Sequence, residues 1–102
     1  MALPWSRQRQ RVMNCSPAEF RRVLLQAFGN EVSGDLQLLR LTRGAVTLVF
    51  RMHPEAGRQL GLLHIAALHV DIAVEYGDES IDDSAVTALL AEVDRATLRG
   101  GG

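Results

Sequence analysis

Between Asp35 and Met52 apolar side chains recur at every second position, which is the spacing of strands that bury one face. Leu39 and Leu41 lie before Arg43-Gly44, and Val46, Leu48, Phe50 and Met52 lie after it. Two alternating runs about a glycine turn predict a β-hairpin. Its opposite face carries Leu38, Arg40, Thr42, Ala45, Thr47, Val49 and Arg51. A fully solvated face would be more uniformly polar, so this mixture of apolar and cationic groups marks the surface as a candidate for contact.

The flanking segments read as helices. Ser16-Pro17-Ala18-Glu19 supplies a cap, a proline at the first helical position and the acid of a capping box. Phe20, Val23, Leu24, Ala27 and Phe28 then form one apolar stripe that ends at Gly29-Asn30. Cys15, just before the cap, and Phe20 have the spacing of a hydrophobic staple. A second helix is expected from Pro54 through Glu55–Leu68, apolar almost all round and so well buried, with Gly57 and Gly61 allowing close packing on the sheet. Val70, Ile72 and Val74 alternate with His69, Asp71, Ala73 and Glu75 as a half-buried strand. After an acidic connection from Tyr76 to Asp83, Val86, Leu89, Leu90 and Val93 mark a last helix, capped by Asp82 or Asp83 and stopped at Gly100.

The expected fold is therefore α+β, a small two-layer domain in the order α-β-β-α-β-α. It would hold a three-stranded mixed sheet with helices mainly on one face. Residues 1–15 read as a basic arm free to be flexible, 16–99 as the single domain and 100–102 as a flexible glycine tail. At 102 residues, with 47% hydrophobic and 23% charged, the chain can bury one core without disulfides or metals.

The near-neutral total of 11 basic and 12 acidic groups hides an asymmetry. Residues 1–51 carry eight Arg against three acids, a net +5, whereas residues 52–102 carry three Arg against nine acids, a net −6. Opposed charge of this kind suits surfaces that meet within a fold or across a dimer. All the basic residues are Arg, whose codons are GC-rich, so their exclusive use reads as genome composition. No apolar run approaches the length of a membrane span, and the N-terminal residues show no secretory h-region. The single cysteine cannot form an intrachain disulfide, and a reducing cytoplasm is expected.

Catalytic and cofactor chemistry finds little purchase. His69, Asp71 and Glu75 share a strand face and form the best ligand-like cluster, but a solvated polar face explains them without a metal. Asp78-Glu79-Ser80-Ile81-Asp82 starts like a calcium loop and then fails, with Asp83 where glycine is needed and Leu89 where glutamate is needed. No phosphate loop or nucleophile elbow is present, and Cys15 has no sequence-local histidine to serve as its base. The expected function is a small, non-catalytic protein-binding module without cofactor or metal. It would self-associate as a homodimer through the open sheet face, using Leu38, Arg40, Val49, Arg51, Asp71 and Glu75. The alternative is nucleic-acid binding, with Arg7, Arg9, Arg11, Arg40 and Arg51 as phosphate contacts.

Overall fold

The structure, a computed structural model, describes residues 8–44, 46–76 and 83–101. The elements follow in the order β1 (Gln8–Met13), α1 (Pro17–Phe28), a 3-10 turn (Gly29–Glu31), β2 (Val32–Gly34), β3 (Leu38–Arg43), β4 (Val46–Leu60), β5 (Leu63–Tyr76) and α2 (Asp83–Gly101). Five strands form one antiparallel sheet in the order β1-β5-β4-β3-β2. The α+β class therefore fits, whereas the expected three-stranded mixed sheet and the α-β-β-α-β-α order do not.

The largest correction concerns residues 54–68. They form no helix: β4 continues through Pro54 to Leu60 and returns as β5 from Leu63. The connecting pair is Gly61-Leu62, with Gly61 at φ +62°. Glycine at the first central position, with positive φ there and not at the second, is what a two-residue type II′ hairpin turn requires. An apolar stretch without period is ambiguous between buried helix and strand, and the glycine turn is what resolves it. A second correction adds strands. Residues 8–13 pair with β5 as an edge strand, with Gln8 opposite Ala73 and Met13 opposite Leu68. The three-residue β2 completes the opposite edge against β3.

The helix starts where the sequence marks it. Ser16 Oγ accepts from the Glu19 N–H, and the Glu19 carboxylate accepts from the Ser16 N–H, at 3.2 Å each. Phe20, Val23, Leu24 and Phe28 are then buried, while Ala27 is exposed. From α2, Val86, Leu89, Leu90 and Val93 enter the same core. The sheet meets them with Leu39, Leu41, Val46, Leu48, Phe50, Met52, Leu68, Val70, Ile72 and Val74. Both helices therefore cover one face, and Phe20 meets Phe50 edge to face at 5.7 Å between ring centroids.

β1 reaches β5 only as far as Leu68, and β3 reaches β4 only as far as Arg51. Beyond those points residues 53–67 continue as a two-stranded arm projecting from the five-stranded sheet. The pairing shifts register between Glu55 and Arg58. Gly57 sits in that irregularity, where an added Cβ would lie 2.5 Å from the Ile65 carbonyl oxygen.

Candidate functional site

Strand parity places all six residues expected on the contact surface on the uncovered face of the sheet. Leu38, Arg51 and Asp71 are opposite one another in one row, and Arg40, Val49 and Ala73 in the next. Thr42, Thr47 and Glu75 make the third row, where the two threonine hydroxyls lie 3.1 Å apart. This face is less apolar than the sequence implies. Val49 is only 1% exposed and Leu38 is half-buried. Long charged neighbours can shield such apolar groups with their stems while keeping their heads in water.

The charges on this face are largely paired within the chain. Arg40 Nη1 lies 3.4 Å from Glu75 Oε2, an ion-pair distance without hydrogen-bond geometry. Asp71 is held by two imidazoles, with His53 Nε2 at 3.1 Å from one oxygen and His69 Nε2 at 3.1 Å from the other. His69 Nδ1 is 3.7 Å from Glu55. Asp71 thus joins a histidine cluster that spacing did not reveal, because His53 comes from β4 opposite His69 on β5. Glu75 turns to Arg40, so the structure separates it from His69 and Asp71. Among the described residues no group of three or more His, Cys, Asp or Glu is arranged to hold a metal ion.

The residues of the nucleic-acid alternative are dispersed. Arg7 lies outside the described residues, and the Arg9 backbone pairs with Ile72 in the sheet. Arg11 grips Asp94 of α2, and Arg40 lies beside Glu75. Of these five, Arg51 is exposed on the open face and makes no ion pair among the described residues.

The open face continues onto the arm. Along β5, residues 63, 65 and 67 have the same parity as 69, 71, 73 and 75. Leu63, Ile65 and Ala67 therefore extend the uncovered side, and Leu60 joins them opposite Leu63. Leu60 and Leu63 are 54% and 60% exposed, and Leu62 at the turn is completely so. Exposed large apolar side chains therefore include those of the arm, for which the sequence predicts an interior helix, and also Val12 on β1 opposite His69 and Leu36 before β3.

On the covered side, a cavity of about 280 Å³ opens where the end of β1 meets α1 and α2. Met13, Cys15, Phe20 and Val23 give it apolar walls, and Arg11, Glu19, Asp94 and Thr97 add polar groups. Cys15 is 3% exposed. Burial, with Glu19 nearby, pushes its thiol pKa up, the opposite of what an activated nucleophile needs.

Comparison with known protein families, curated proteins and solved structures finds no match. Among the described residues no helix is long and apolar enough to cross a membrane.

Proposed function

We propose that this chain is a small, cytoplasmic, non-catalytic protein-interaction module that self-associates as a homodimer through the uncovered side of its sheet. One observation carries the reading: both helices cover one face, while among the described residues no helix packs on the other, which runs from Glu75 to Leu60 and Leu63 of the arm. Exposed apolar side chains gathered on one side of a projecting element mark a contact surface more strongly than scattered ones do. Arg51, exposed on this face and outside its internal pairs, can approach an acid of another copy. Pairing of Arg11 and Arg40 with acids of their own chain reduces the support for a phosphate partner.

The test is light scattering coupled to size exclusion over a concentration series. A particle of twice the 11.2 kDa chain mass is the expected result. A monomer at every concentration overturns the proposal.

A further inference from the structure

The two edges of the arm differ in a way that identifies its partner. On the β4 edge, Pro54, Glu55 and Arg58 accompany the register shift between residues 55 and 58. Proline, charge and a bulge are devices that prevent an edge from pairing with another chain. The β5 edge from Leu63 to Ala67 reads Leu-His-Ile-Ala-Ala, with no proline, no Asp, Glu or Arg and no break in the strand. β1 pairs with β5 only from Leu68 onward, so among the described residues no strand occupies the outer edge of these five. An isolated two-stranded hairpin is only marginally stable in water, and a third strand on that edge would stabilise it.

Resting on the self-association reading above, but placing the contact at the edge of the arm and not across the sheet face, we propose that the missing strand is the same segment of a second copy. The two β5 edges pair antiparallel about a two-fold axis at Ile65. Leu63 then faces Ala67 of the second copy, Ile65 faces Ile65, and Ala67 faces Leu63, so the pairing uses the whole free edge and stops where β1 begins. Even residue spacing keeps the leucine-bearing side of both arms on the same side of the joined sheet.

The register also brings together two features that have no role within one chain. Leu63 of the second copy lies opposite Ala67, one position short of Leu68, where β1 ends with Met13. The turn bearing Leu62, completely exposed in the single chain, is thereby delivered to the end of β1. Met13 there is part of the lining of the cavity, together with Cys15, Phe20 and Val23. The cavity's volume of about 280 Å³ exceeds that of one leucine side chain. A two-fold axis makes the contact twice, each turn entering the other copy's cavity, and that reciprocity favours a second copy over a foreign strand.

Cysteine cross-linking tests the register directly. In a Cys15→Ala background, Ile65→Cys places two cysteines on the axis with Cα atoms roughly 4.5–5.5 Å apart, within reach of a disulfide. Mild oxidation is expected to give a covalent dimer from Ile65→Cys and none from Gln59→Cys on the guarded edge. Leu62→Asp and Ala67→Lys are each expected to weaken the native dimer at least about tenfold by analytical ultracentrifugation, with unchanged far-UV circular dichroism. If the dimer withstands both changes but is dissociated by the double reversal Arg40→Glu with Arg51→Glu, the arm pairing is overturned and the sheet-face reading survives. A monomeric parent chain overturns both.

Discussion

Arg11 and Asp94 meet as a two-pronged pair, with Nε to Oδ1 and Nη2 to Oδ2 both at 3.1 Å. The contact ties the edge strand β1 to α2 across 83 residues of sequence. Both side chains are more than a third exposed, so solvent screens the attraction and limits its contribution. Arg11→Ala is expected to cost about 0.5–1 kcal/mol in urea unfolding. Arg11→Lys should recover less than half of that, because an ammonium cannot reproduce the planar fork. Full recovery by lysine would show that charge alone suffices.

Phe50 and Phe20 join the sheet to α1 at the centre of the core, both at most 1% exposed. Phe50→Ala removes the ring, its edge-to-face contact and the filled volume together. The expected loss is about 3–5 kcal/mol, a large part of the total stability of a small domain. Thermal unfolding monitored by circular dichroism checks it, and a loss under about 1 kcal/mol would mean that the core repacks around the gap.

Two surface carboxylates make stability depend on acid. Glu31 receives Arg43 Nε at 3.1 Å and Nη2 at 2.9 Å, and these hydrogen bonds hold its pKa below the usual 4.5. Asp35 Oδ1 accepts from the backbone N–H groups of Leu38 and Gln37 in the β2–β3 turn, which lowers its pKa below 3.8. A depressed carboxylate stabilises the fold fully above its unfolded pKa, and that contribution is lost as pH falls through the folded value. The melting temperature should therefore decline below about pH 4.5. Glu31→Gln should lower it at neutral pH and flatten the acid-side slope in a pH series of thermal melts.

Gly57 lies within the arm, at its register shift. Its added Cβ would meet the Ile65 carbonyl oxygen at 2.5 Å and the His64 ring at 2.6 Å, and the backbone oxygen cannot simply swing away. Gly57→Ala should disrupt the arm while leaving the five-stranded region intact. Limited proteolysis is expected to cut this variant between residues 53 and 67 several-fold faster than the parent, with little change in the cooperative melt. Equal cleavage rates would show that the bulge accommodates the methyl group.

What the sequence disclosed depended on whether a segment packs on the core. Leu39 to Met52 announced its strands because one face is buried, and Ser16 to Phe28 announced its helix through a capping box and a single stripe. β1 was hidden because an edge strand needs little more than backbone partners, so its Arg and Gln alternation resembled a solvated arm. The arm itself carries apolar residues without a core to impose a period, and Pro54 could equally have opened a helix. Leu60-Gly61-Leu62-Leu63 held the available clue, a two-residue glycine turn between apolar neighbours. The six residues of the open face came out together because parity survives errors in strand number. The histidines around Asp71 did not, because cross-strand register cannot be read from one strand.

Cys15 offers a probe of how tightly the ends of β1 and α1 are closed. It belongs to the main core with Phe20, although it also borders the cavity. Burial first, and then the charge of Glu19, raise its thiol pKa above the usual 9.0. Less thiolate forms at neutral pH, and a reagent must wait for local opening to reach the sulfur. Reaction with a disulfide reagent at pH 7.5 should be at least about a hundredfold slower in the native chain than in denaturant. If Leu62 of a second copy enters the same cavity, raising protein concentration through the dimerisation range should slow the native reaction further, whereas Leu62→Asp should abolish that concentration dependence. A rate that ignores concentration in the parent chain would place the cavity outside the dimer contact.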